Sequence, residues 1–185
     1  MQANLLSYSA SLREALQATD YAILARIGER LLAAKAAGNT IYLIGNGGSA
    51  ATASHVCNDL VKGCRVDGRP GFKAICLADS STLLTCLAND FSYADVYAIL
   101  LQTYARPGDV LIAFSGSGNS PNILEGLKAA RALGLATLGF GGRDGGKMKD
   151  LCDEILIAPT PSMEMIEDLH LACFHNLVCS MRTRL

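Results

Sequence analysis

The sequence has no surplus of either charge. Sixteen Lys and Arg stand against 17 Asp and Glu, for a formal net charge of −1. Sequence-independent binding to nucleic acid phosphates therefore has no electrostatic support, and any bound anion must be held by a local device. The seven cysteines include no C-x-x-C pair, their number is odd, and several interrupt apolar runs, as in Ile75-Cys76-Leu77 and Ala172-Cys173-Phe174. That pattern predicts reduced core thiols and a cytoplasmic setting rather than a disulfide scaffold. Residues 1–13 lack the basic-then-apolar layout of a signal peptide. No apolar stretch approaches a membrane span, so no membrane partner is expected. Linkers, internal repeats and charge blocks are missing too.

What remains is apolar material in quantity. Half of the 185 residues are hydrophobic, enough for a sizeable core, which excludes a disordered chain. The length favours one domain over residues 1–185. Residues 3–36 carry helix-like spacing (Leu5, Leu12, Leu16, then Ile23, Leu24, Ile27, Leu31), with Thr19-Asp20 as the break and N-cap. This N-terminal pair, 1–37, suits packing against a partner subunit, and 38–185 then forms the core. Short β-branched runs follow at 40–44, 72–77, 110–114, 136–140 and 154–157. Helical patterns separate them at 49–62, 80–103 in one or two pieces, 120–133 and, more weakly, 145–151. A helix from about Ser162 to Arg182 closes the chain. Near-continuous apolar strands alternating with helices predict a doubly wound α/β fold with a five-stranded parallel sheet.

Ligands of such folds sit at the carboxyl ends of the strands. Two strand ends here carry unusual loops, Gly45-Asn46-Gly47-Gly48-Ser49 and Ser115-Gly116-Ser117-Gly118-Asn119-Ser120, and each leads directly into a helix. Glycine lets backbone approach a ligand, free N–H groups at a helix start favour negative charge, and clustered hydroxyls add neutral donors. One such loop is equally well a tight turn with Ser120 as a plain N-cap; two at successive ligand-competent ends point to a phosphate. Ala50 stands where a Gly-x-Gly-x-x-Gly motif needs its third glycine, and no Gly-Lys-Ser or Gly-Lys-Thr follows. A small phosphorylated metabolite is expected rather than a nucleotide.

All three histidines fall on two predicted helices. His55 and Asp59, four apart, share a face. On the last helix, positions 164, 167, 168, 171 and 175 make one stripe, so Glu164, Glu167 and His175 are expected to converge, while His170 is rotated away and reads as a structural, buried histidine. The plainer alternatives are a surface ion pair for His55 and Asp59 and a core position for His175, which is flanked by Phe174 and Leu177. A base, an acid and a stabiliser for a developing oxyanion are what an aldose–ketose interconversion requires.

Taken together, the Gly45–Ser49 loop, the Ser115–Ser120 loop, Arg69-Pro70-Gly71, Ala88-Asn89-Asp90 and Asp144-Gly145-Gly146-Lys147-Met148 resemble the sugar isomerase (SIS) fold, in its phosphoheptose isomerase branch. The resemblance runs nearly end to end. It implies a flavodoxin-like sheet and a substrate set of Asn46, Gly47, Ser49, Asn89, Asp90, Ser115, Gly116, Ser117, Ser120 and Glu167, with Gly116 where members often have Thr. It implies Asp59 as base, His175 as acid, and zinc held by His55, Asp59, Glu167 and His175. It further implies a homotetramer with sites shared between subunits. Asp59 stands where the family has Glu, Glu167 where it has Gln, and Lys62, Gly63 and Arg65 occupy the neighbourhood of an arginine that members often carry. The activity implied is aldose–ketose isomerisation of sedoheptulose 7-phosphate. The alternatives are a non-catalytic phosphosugar-binding regulator of the same fold, of the kind that binds a replication initiator, and an isomerase for another sugar phosphate.

Overall fold

Asp20 breaks the N-terminal run by capping. In the computed structural model, which describes residues 1–185, its carboxylate accepts from the backbone N–H groups of Ala22 and Ile23 at 3.0 and 3.1 Å. Helix α1 (Gln2–Gln17) therefore ends and α2 (Tyr21–Ala37) begins. Gly38, left-handed at φ 76°, closes α2 and turns the chain into strand β1 (Thr40–Ile44). The order continues α3 (Gly48–Asn58), β2 (Lys73–Cys76), α4 (Ser81–Asp90), α5 (Val96–Tyr104), β3 (Val110–Ser115), α6 (Pro121–Ala132), β4 (Ala136–Gly142), β5 (Glu154–Ala158) and α7 (Met163–Arg182).

The five strands are all parallel, in the order β2-β1-β3-β4-β5. From β1 the chain crosses to one side and from β3 to the other, so the strand order reverses between these two neighbours. Loops leaving adjacent strands in opposite directions open a crevice there, and both glycine- and serine-rich loops leave from this point. All six residues of β3 are buried, which is why it reads as an unbroken apolar run. Ile27, Leu31, Leu43, Ile112, Phe140 and Phe174 pack α2, α3 and α7 on one face. Tyr97, Leu101, Leu111, Ile123 and Leu127 pack α5 and α6 on the other. Helix α1 lies on α7 through Leu12, Ala15 and Leu16 against Ile166 and Leu169, with the Tyr8 hydroxyl donating to Asp168 at 2.6 Å.

Two expected elements come out differently. The run 49–62 is not one helix: α3 stops at Asn58 and a π-helical turn covers Asp59–Gly63, closed by the Cys64 N–H on the Asp59 carbonyl at 2.9 Å. The region 80–103, expected in one or two pieces, is two helices, since Phe91 leaves helical geometry. The weak pattern at 145–151 is a 3-10 turn, Gly146–Asp150. No helix is long and apolar enough to cross a membrane, and all seven cysteines are unpaired.

Candidate active site

The loop after β1 is fixed from below by a polar network. The Tyr97 hydroxyl donates to the Gly45 carbonyl. The side-chain amides of Asn46 and Asn122 exchange two hydrogen bonds, each 2.8 Å, and Tyr93 donates to Asn46 Oδ1 at 3.0 Å. Asn122, only 1% exposed, belongs to the first turn of α6, so it ties the loop after β1 to the loop after β3. Neither Asn122 nor the two tyrosines carried a signal in the sequence, because an Asn after Pro121 reads as an ordinary helix start.

The loop after β3 is fixed from the side. Gly118 has φ 62°, and a Cβ there would lie 2.1 Å from the Gly145 carbonyl oxygen, so only glycine fits. The Met148 N–H donates to the Gly118 carbonyl at 2.9 Å and the Lys147 N–H to Asn119 Oδ1 at 3.2 Å. The Asp144–Met148 segment is thus the buttress of the serine loop.

Between the two loops lies a cavity of about 150 Å³, lined by Asn46, Ser49, Ser115, Gly116, Ser117 and Ser120, with Met163 and Glu167 of α7 as its other wall. Ser120 occupies the N-cap position of α6, yet its side chain makes no capping bond; the plain-cap reading fails and the hydroxyl is free for a ligand. The room a threonine would need at Gly116 is taken by Met163, whose Sδ lies 2.5 Å from where a Cβ would stand. No lysine or arginine lines this cavity. Hydroxyls, amides and the N-terminal ends of α3 and α6 are its donors to an anion. Asn89 and Asp90 are elsewhere, exposed at the end of α4 and bonded to each other at 2.8 Å. Gly47 is the exposed N-cap residue just before α3, at φ 53°.

Further along the seam between α3 and α7, three side chains converge. His55 and His175 place their Nε2 atoms 2.9 Å apart, and Asp59 Oδ2 lies 3.4 Å from the first and 3.2 Å from the second. Each imidazole is 47% exposed, so His175 is not a core residue. The pair His55–Asp59 is not merely a surface ion pair, since a residue 120 positions away completes it. Asp59 stands where α3 gives way to the π turn, a distortion frequent at functional sites. The donor atoms lie within 4.8 Å of one another. Two imidazole nitrogens and a carboxylate oxygen with one side open to solvent fit a four-coordinate zinc that keeps a free position.

Glu167 lies outside that cluster, so the structure brings together three of the four expected ligands. Its carboxylate rests instead on the start of α3, where both oxygens lie 2.4 Å from the position of a Gly48 Cβ. Glu164 does not converge either: it is exposed and takes the Ser162 hydroxyl at 2.8 Å, in the first turn of α7. His170 is the structural histidine expected. It is 1% exposed, packs against Phe114 and Phe140, and bonds the Gly141 carbonyl through Nε2 at 2.9 Å, while Nδ1 has no partner. Burial pushes its pKa down to about 4, so it is neutral near pH 7 and donates through Nε2 to the Gly141 carbonyl. An apolar groove of about 280 Å³ between α2 and α7, lined by Leu24, Leu32, Leu177 and Met181 among others, brings no comparable set of hydroxyls together.

Comparison with known proteins agrees with this geometry. Residues 6–142 match the model of the SIS domain family. Over 172 residues the chain is 40% identical to the phosphoheptose isomerase of Desulfovibrio desulfuricans, covering 93% of this chain and 81% of that protein. Over 142 residues it is 44% identical to the phosphoheptose isomerase of Paramagnetospirillum magneticum, covering 77% and 73%. The solved phosphoheptose isomerase of Neisseria gonorrhoeae superposes with a TM-score of 0.91 at 27% identity, over 100% of this chain and 99% of that one.

Proposed function

The chain belongs to the SIS domain family, in its phosphoheptose isomerase branch, and on that premise we propose that it is an aldose–ketose isomerase acting on sedoheptulose 7-phosphate. The observation that carries the reading is the seam between α3 and α7, with a hydroxyl-lined anion cradle at one end and His55, Asp59 and His175 at the other. Ser49 and His55 are six residues apart on α3, about 9 Å along the axis. That separation suits a substrate with a phosphate at one end of an extended polyol and a reacting carbonyl at the other.

Ser49, Ser115, Ser117 and Ser120 hold the phosphate. The Asp59 carboxylate takes the proton from C1 of the ketose, and the C1–H electrons form the C1=C2 bond. His175 gives a proton to the C2 oxygen as the enediol forms, then recovers one from the C1 oxygen. Asp59 returns its proton to C2, leaving the aldose. His55, Asp59 and His175 would hold a zinc ion, which would supply Lewis-acid polarisation of the carbonyl.

We further read residues 1–185 as one SIS domain that assembles as a homotetramer in the cytoplasm. Leu5 and Leu6 of α1 are 63% and 65% exposed, and α4 buries none of its ten residues. Those faces, and Asn89 and Asp90 on α4, suit contact with neighbouring subunits that complete the sites. The test is incubation of the zinc-loaded protein with sedoheptulose 7-phosphate and detection of an aldose phosphate product. Tight phosphosugar binding without conversion of any ketose phosphate would overturn the enzymatic reading in favour of a phosphosugar-binding regulator.

A further inference from the structure

Glu167 poses an electrostatic problem. It is the only ionisable side chain lining a cradle that contains no cation, so its carboxylate faces the place where the substrate's phosphate must sit. Two anions in one pocket repel by several times what they would in water, because the surroundings are less polarisable. The carboxylate also rests against Gly48, the first residue of α3, and the free N–H groups of a helix start attract whichever anion is present. It thus stands, as a tethered anion, against the seat an incoming phosphate needs. Two turns further along the same helix, His175 joins His55 and Asp59 in a three-donor cluster with an open side.

We propose that Glu167 couples the two ends of the site: its carboxylate obstructs the phosphate cradle until a divalent cation at His55, Asp59 and His175 draws it away, so that metal and phosphate bind cooperatively. Asp59 contributes a single carboxylate to that cation. A second negative side chain on α7, half-buried and within the same seam, is the one the cation's charge would move. A glutamine at this position has the same shape but no charge, and neither obstructs an anion nor responds to the cation. The inference rests on the proposed phosphate seat and metal cluster but not on turnover.

The experiment uses inorganic phosphate and cobalt(II), the latter a coloured stand-in for zinc. Phosphate affinity is measured by calorimetry with and without cobalt, and cobalt affinity by visible absorbance with and without phosphate, for the wild type, Glu167→Gln and Glu167→Ala. In the wild type, cobalt tightens phosphate by at least about fivefold, and phosphate tightens cobalt by the same factor, as linkage requires. Without metal, both variants bind phosphate about tenfold more tightly than the wild type, and their coupling factor falls by at least half. The proposal is overturned if a variant melting at the wild-type temperature binds phosphate no more tightly than wild type without metal. It is equally overturned if the coupling factor is the same in all three proteins. Conversion of sedoheptulose 7-phosphate by wild type alongside such a result would sink the coupling and leave the enzymatic reading standing. Coupling without conversion would do the reverse.

Discussion

The two ends of the site are built by opposite means. The anion cradle is made of loops at the ends of buried strands, and its shape is over-determined: Asn46 is locked to Asn122, Gly45 to Tyr97, and Gly118 to Met148. The His55, Asp59, His175 cluster consists of two exposed imidazoles and a half-buried carboxylate, brought together by the packing of α3, the π turn and α7. A phosphate is a generic handle that a rigid seat can hold throughout the reaction. Proton transfer needs groups that can take and give a proton, and those are gathered at the open end. Binding is assigned to the stiff end and chemistry to the wet one.

The largest effect that could break this division comes from the wet end. Asp59→Asn keeps size and removes the ability to accept a proton from carbon. Loss of a positioned base costs about 10²–10⁴ in rate, so kcat for sedoheptulose 7-phosphate should fall by about a thousandfold while calorimetry shows phosphate still bound. If kcat survives, the proton is moved by another group and the assignment of chemistry to this cluster fails.

His170 belongs to neither end: it is buried against the sheet, under the Gly141 carbonyl at the end of β4. Its folded pKa of about 4 lies below the ordinary 6.5. As pH falls through 6.5 the unfolded chain takes a proton that the folded chain refuses until about 4. Its share of stability is therefore complete above 6.5 and is lost progressively down to about 4, roughly 3 kcal/mol in all. Urea midpoints should decline across that window in wild type and decline less in His170→Phe. Equal slopes would show that the histidine is not buried neutral.

The stiff end was legible in local composition, while the wet end was legible residue by residue, from the His55–Asp59 spacing and the family resemblance, but not in how its residues converge. Apolar runs that stop abruptly at Ile44 and Phe114, followed by glycine and serine, announce both a strand end and its ligand loop, because local composition determines both. The contact of His55 with His175 joins residues 120 apart and exists only once α3 and α7 pack on the same face of the sheet. The π turn at Asp59–Gly63 escaped because Asp-Leu-Val-Lys-Gly continues a helical pattern equally well with one more residue per turn. Glu164 fitted the stripe but lies in the first turn of α7, where Ser162 engages it. Glu167 fitted as well, and its carboxylate lies at the cradle, where it takes up the room a side chain at Gly48 would need. The buried Asn122 is the missed residue with the next effect in size. Asn122→Leu strips Asn46 of its partner and leaves a polar group unpaired at the base of the cradle, for a loss of about 2 kcal/mol in denaturant unfolding. No change in unfolding would mean that the loop is held by Tyr93 and Tyr97 alone.

The smallest effect separates binding from folding most cleanly. Ser120 and Ser162 both stand at helix N-caps, of α6 and α7, but only Ser162 caps, accepting from the Met165 N–H at 3.4 Å. Ser162→Ala should lower stability by about 1 kcal/mol and leave phosphate binding unchanged, since Ser162 does not line the cradle. Ser120→Ala should do the converse. Its helix loses no cap, while the phosphate loses one hydroxyl donor, a hydrogen bond to a charged group worth about 1.5 kcal/mol or more, so affinity weakens about tenfold with the melting temperature unmoved. Two serines with the same local role in the sequence would then differ because one is held by its helix and the other is free for the ligand. If Ser120→Ala melts lower and binds phosphate normally, its hydroxyl serves the fold, and the cradle is made by backbone rather than by side chains.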